Sequence, residues 1–148
     1  MIRIYLDTCC LNRPFDDQTQ DRVRAEAEAI VRIIEKVYRG DLELIRSEAV
    51  EAEAAAIRDP LRRQQVLALS GTGTLEVSLR EEHRERAGVL KMLGFGYVDA
   101  LHIASAEIAG ADALLTTDDA MIRRARRLRY EMRIRVVNPL TWLKELAS

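Results

Sequence analysis

Cysteine, histidine, proline and glycine are all scarce in this chain of 148 residues, with two Cys, two His, three Pro and seven Gly. The cysteines, Cys9 and Cys10, are adjacent and cannot build a disulfide framework; their pattern points to a reducing compartment, so a cytoplasmic protein is expected. Zinc is disfavoured too, because spaced cysteines are missing and His83 and His102 form no ligand pattern with the pair. The thiols read instead as buried groups near the start of a helix, with a reactive thiol as the alternative. Sparse Pro and Gly leave no linker, low-complexity tract or repeat, so residues 1–148 read as a single domain with enough chain for a core. No apolar run approaches the roughly 20 residues that span a bilayer, so no membrane partner is expected. The opening MIRIYLDT reads as a strand rather than a signal peptide. Excess charge of either sign is also missing: 23 basic residues stand against 24 acidic ones. That removes any global case for nucleic-acid binding.

What is present is a soluble-protein balance, 48% apolar and 32% charged, with the charge unevenly placed. RRARRLR holds five arginines in seven positions, Arg123 to Arg129, whereas acids gather in SEAVEAEAAAIRD, Ser47 to Asp59. A near-neutral protein can still bind RNA through one basic face, although a run of this kind is as readily a solvated helix end.

Strand and helix signals alternate. IRIYL (2–6) is a first strand, and apolar residues at Val23, Ala27, Ile30, Ile34, Val37 and Tyr38 mark a helix stopped at Gly40. DLELI (41–45) is a second strand, followed by a Ser47-capped helix over 48–57 and another over 60–69. LEVS (75–78) is a third strand, after which helices end at Gly94 and Gly110. DALLTT (112–117) and IRVVNP (134–139) are strands four and five, with a helix opened by Asp118 between them and LTWLKEL closing the chain. Such alternation predicts βαβ units with right-handed crossovers: an α/β fold, a three-layer α/β/α sandwich with a mostly parallel sheet of about five strands.

In an open parallel sheet, ligands bind beyond the carboxyl ends of the strands. Asp7 closes strand one, and Asp118 and Asp119 follow strand four. Glu48, Glu51 and Glu53 ride on the helix after strand two, and Asp99 opens the helix leading to strand four. Gathered carboxylates raise one another's pKa and destabilise the fold unless something neutralises them. A hard divalent cation does so, preferring oxygen ligands and assisting phosphodiester hydrolysis. Singly, Asp99 and Asp118 are equally well read as helix N-caps.

IYLDTCCLNRPF, SEAVEAE, VDALHIASAEIAGADALLTTDD and VVNPLTW together resemble a PIN-domain protein of the VapC toxin kind, in the right order over nearly the whole chain. The resemblance implies a PIN-like sandwich and an Mg²⁺- or Mn²⁺-dependent endoribonuclease. It further implies a homodimer and the toxin of a toxin–antitoxin pair held by a cognate antitoxin. Matched position by position, it makes Asp7, Glu53, Asp99 and Asp118 the catalytic acids, with Glu48 and Glu51 as rivals for Glu53. Asp7, Asp99, Asp118 and Asp119 would hold the metal. Thr8, Ser47 and Thr116 would support them, and Asn12, Arg13, Arg123, Arg124 and Arg126 would contact RNA. The paired cysteines are not part of that family's chemistry, and the Asn12–Phe15 loop resembles a subgroup rather than typical toxins.

Two other chemistries compete. A haloacid-dehalogenase-like phosphoryl transfer needs an acid two positions beyond Asp7, where Cys9 stands. Receiver domains need a phospho-acceptor at a different strand end and a late Lys. A catalytically silent PIN-like module that pairs with a partner protein or RNA is the remaining alternative. His102, three residues after Asp99, reads as a partly buried, hydrogen-bonded histidine within reach of the site.

Overall fold

The computed structural model describes residues 1–148. Its five strands are β1 (Ile2–Leu6), β2 (Leu42–Ser47), β3 (Leu75–Val77), β4 (Ala113–Leu115) and β5 (Arg135–Val137). They form one sheet in the order β3-β2-β1-β4-β5, and every pairing is parallel. The expected "mostly parallel" sheet is thus wholly parallel. Residues Ile4, Tyr5 and Leu6 in β1 and Ala113, Leu114 and Leu115 in β4 are all buried, the signature of central strands covered on both faces. At the edges the pattern loosens, with Glu76 and Arg135 facing water.

Eight helices connect and cover the strands: α1 (Thr8–Asn12), α2 (Asp21–Tyr38), α3 (Glu48–Ala55), α4 (Pro60–Ser70), α5 (Glu81–Met92), α6 (Tyr97–Ile108), α7 (Asp119–Arg127) and α8 (Pro139–Ala147). Right-handed crossovers set α2 on one face, where α8 joins it, and α5 and α6 on the other. α2 buries Ala27, Ile30, Ile33, Ile34 and Val37 and stops where Gly40 takes φ +80°. There the Asp41 and Gly40 amides return to the Lys36 and Val37 carbonyls, closing the helix by backbone bonds alone. A single apolar cluster of 30 residues runs from β1 to Trp142 on α8.

Several expected boundaries move. β2 extends to Ser47, because Arg46 and Ser47 pair with Glu76 and Val77. β4 and β5 are shorter than their apolar runs, since the sheet needs only three pairs at each. The stretch expected as a loop at Asn12–Phe15 is helical, with Asn12 ending α1 and a 3-10 turn over Arg13–Phe15 started by Pro14.

Candidate active site

The strand order places successive connections on opposite sides of β1, so the direction of winding reverses between β1 and β4. Beyond the carboxyl ends of those two strands lies the crevice where parallel sheets bind ligands. Asp7 and Asp118 stand there. The Asp7 amide donates to the Leu115 carbonyl at 3.2 Å, tying the end of β1 to β4.

Asp7 is buried and caps α1, its Oδ1 accepting from the Cys10 amide at 3.1 Å and from the Cys9 thiol at 3.0 Å. Burial pushes its carboxyl well above the usual range, with His102 and Thr116 opposing. Asp118 caps α7 through Oδ1, which accepts from the Ala120 and Met121 amides. Its own amide donates to the Thr116 hydroxyl at 3.1 Å, so Thr116 fixes the turn that presents Asp118. Capping and site placement are therefore the same fact: a helix beginning at a strand's carboxyl end puts its cap residue in the crevice.

Asp99 sits half-buried in the first turn of α6. Burial raises its carboxyl pKa, and the nearby Asp118 and Glu53 carboxylates raise it further, against His102. Glu53 on α3 completes the group. Its Oε1 lies 2.9 Å from His102 Nε2. That bond holds the Glu53 carboxyl below its ordinary value, so the carboxylate is ionised and Nε2 carries the proton. The Thr8 hydroxyl is buried without a hydrogen bond of its own and lies close enough to favour the ionised Glu53.

Behind Glu53 is a chain of polar groups that the sequence did not disclose. Buried His102 accepts through Nδ1 from the hydroxyl of fully buried Tyr5 at 2.7 Å, and that hydroxyl oxygen lies in hydrogen-bond contact with Ser47 Oγ at 2.8 Å. Ser47 in turn caps α3, accepting from the Ala49 and Val50 amides. The cap of α3 and the acid six residues along it are thus linked through β1 and α6. Tyr5 looks in sequence like one more apolar strand residue, which is why it was missed; His102 is spaced to reach the site and does.

Several of the other expected residues have partners away from these acids. Asp119 points away to Arg22, which grips both of its oxygens at 2.7 and 2.8 Å, so it is not brought to the other acids. Glu48 accepts from the Leu79 amide and Glu51 pairs with Arg46, whereas Glu53 is the α3 acid that meets His102 beside Asp99. Asn12 bonds the Thr8 carbonyl and Arg62, and Arg13 pairs with Asp16 and buried Glu26, so both side chains are engaged within the fold. Arg124 is half-buried with its guanidinium over the Phe95 ring, whereas Arg123 and Arg126 are exposed. Cys10 is core filling as expected, but Cys9 touches Asp7, Thr116 and Thr117.

Asp7, Asp99 and Asp118 have no Arg or Lys partner, and Glu53 has only His102, in a chain whose other buried acids, Glu26 and Glu107, are each paired with arginine. The donors are oxygens, their charges are mutually repulsive, and an unsatisfied hydroxyl lies beside them. This chemistry fits a hard divalent cation. As the side chains stand, no three His, Cys, Asp or Glu groups surround a common point.

The PIN domain family matches residues 4–128. The chain belongs to the PIN domain family. Members of this family are generally nucleases. Solved structures with the same PIN fold include FitAcB from Neisseria gonorrhoeae, at 17% identity and TM-score 0.57, covering 92% of this chain and 97% of that one. VapBC2 from Rickettsia felis, bound to a DNA fragment from its promoter, aligns at 13% identity and TM-score 0.61, over 93% and 98% of the two chains. PAE2754 from Pyrobaculum aerophilum aligns at 15% identity and TM-score 0.56, over 99% and 90%. No curated protein matches this PIN-domain chain by sequence. No helix is long and apolar enough to cross a membrane.

Proposed function

We propose that this PIN domain is a divalent-metal-dependent endoribonuclease, hydrolysing RNA phosphodiester bonds as the toxin of a toxin–antitoxin pair. One observation carries the reading: four carboxylates, none with an Arg or Lys partner and only Glu53 bonded to a histidine, lie about the crevice at the sheet's reversal point. Asp7, Asp99 and Asp118 would hold the ion, Mg²⁺ or Mn²⁺; when bound, it supplies neutralising charge for the phosphate and a more acidic water. Glu53, kept ionised by His102, is the group able to accept a proton from that water. Thr116 and Ser47 set the backbone turns from which Asp118 and Glu53 project. Arg123 and Arg126, exposed on the helix that Asp118 opens, are placed to meet RNA phosphates. An antitoxin partner and a homodimer belong to the same reading, supported by the likeness to VapC-type toxins and checked by co-purification and light scattering.

Cleavage of a structured RNA, assayed with Mn²⁺ and with EDTA, is the test. Expected are loss in EDTA and a drop of about 100-fold or more for Asp99→Asn, since even residues behind metal ligands matter 10–100-fold. Cleavage that survives both would sink the reading. The silent-module alternative is favoured by the failure of three donors to surround one point. A calorimetric Mn²⁺ titration separates the two, because a silent module would show no binding that Asp7→Asn abolishes.

A further inference from the structure

Eight arginines outside α7 and the turn after it are paired with carboxylates in this structure: Arg3, Arg13, Arg22, Arg24, Arg46, Arg62, Arg86 and Arg135. Between Arg123 and Arg133 the chain carries six more without an acidic partner; Arg32, Arg39, Arg58, Arg63, Arg80 and Arg84 lack one too, but they are dispersed along the chain, whereas these six fall within eleven residues. The difference is one of placement. Arg123 and Arg127 lie four residues apart on one exposed stripe of α7, continuing from Asp119 in the turn beside Asp118, and Arg129 and Tyr130 follow in the turn after the helix. Beside the end of α7 and edge strand β5 lies a cavity of about 490 Å³, lined by Arg126, Arg129, Met132, Arg133 and Ile134 among others. Tyr130 is 86% exposed, and the Arg129 guanidinium lies over its ring at 4.7 Å. Arg129, which also donates to the Tyr130 hydroxyl at 3.3 Å, is the group that touches the ring, so the pair offers a flat cationic platform to solvent.

We infer that this stripe and cavity form a second binding site, which takes the single-stranded RNA flanking the bond to be cut. The inference rests on the ribonuclease reading for the polarity of the path. The strand would leave the carboxylate crevice at Asp118, pass along α7 for about 14 Å, given nine residues at 1.5 Å each, and lodge at the cavity. Arg126, Arg129 and Arg133 hold its phosphates, and one base stacks on Tyr130. Cationic side chains set around an exposed aromatic are what a flexible polynucleotide needs, because every base has a stacking face while its backbone needs neutralising. An acidic protein would use the arginines but leave the Tyr130 platform without a purpose.

Fluorescence anisotropy in EDTA, with a labelled single-stranded RNA of about 12 nucleotides, reads binding without cleavage. For the full chain carrying Arg126→Gln, Arg129→Gln and Arg133→Gln together, the expected result is at least a tenfold weaker complex. Its salt slope should also fall by about 2, the value for three lost phosphate contacts on a single strand. Tyr130→Ala should weaken binding several-fold with the slope unchanged, and lysine at the three arginine positions should restore most of the affinity. Equal binding by wild type and the triple glutamine variant overturns the proposal. So does a polyglutamate peptide that competes as well as unlabelled RNA while Tyr130→Ala has no effect, which would assign the surface to an acidic protein. Wild-type protein that binds RNA in this way yet never cleaves it with Mn²⁺ refutes the nuclease reading and supports the binding site. Cleavage with unaltered binding by the variants does the reverse.

Discussion

Asp7 and Asp118 each use one carboxylate oxygen to cap a helix, through bonds of 3.0 to 3.2 Å to backbone amides. A capping carboxylate is fixed in orientation, so the same bonds that stabilise the helix start also aim the acid. Glu53 has no such anchor; it is an exposed residue on α3, and its orientation depends on His102 and, behind it, Tyr5 and Ser47. Tyr5→Phe removes only the bridging hydroxyl and leaves His102 Nδ1 buried without a partner. The expected cost is about 1–3 kcal/mol by chemical denaturation. His102→Ala removes the bond that lowers the Glu53 carboxyl, so the Glu53 titration, followed by carboxyl-carbon NMR, should move up toward the ordinary value. The sign follows from linkage. A depressed acid contributes stability that is present above its unfolded pKa and is lost as pH falls through the folded one. The wild type should therefore lose this increment on acidification, and the variant should have none to lose. An unmoved Glu53 titration would refute the linkage.

Among the elements, α2 and α5 end in the same way, each with a glycine at positive φ whose amide and the next return to carbonyls in the last turn. Their surroundings differ. A Cβ at Gly40 would meet nothing, whereas one at Gly94, φ +111°, would stand 2.3 Å from the Arg124 guanidinium. Gly40→Ala is expected to cost about 1–2 kcal/mol of backbone strain. Gly94→Ala should cost that plus about 0.5–1 kcal/mol, as Arg124 swings away from the Phe95 ring. Denaturant midpoints of the two variants provide the comparison, and equal losses would show that the Arg124 contact contributes nothing. The elements were well marked in sequence: glycine stops, the Ser47 and Asp118 helix starts, and apolar spacing located most helices. The short α1 and the 3-10 turn were not, because five- and three-residue helices present too little periodicity to show.

Across the whole molecule, the family match ends at residue 128, yet the remaining chain is integral to the fold. Val136 and Val137 are buried beside β4, Trp142 is buried in the apolar cluster, and Asn138 reaches across to the buried Glu26 carboxylate at 2.6 Å. Unfolding followed by Trp142 fluorescence should therefore coincide with unfolding followed by far-ultraviolet circular dichroism, as one cooperative transition. A fluorescence change at clearly lower denaturant would show α8 detaching alone.

The amino-acid sequence by itself determined the α/β class, the order of strands along the chain and the capped helix starts, and it singled out four acids as candidates, because these depend on periodicity, local hydrogen bonding and a family pattern. Only the tertiary structure decided which acids meet. Asp118 and Asp119 are neighbours with identical side chains, but a helix turns about 100° per residue, so one enters the crevice and the other meets Arg22. The same rotation selected Glu53 over Glu48 and Glu51, and long-range pairing withdrew Asn12 and Arg13 from solvent while leaving the arginines around Tyr130 unpaired. Such choices depend on which distant residues pack side by side, and no local stretch of chain carries that information.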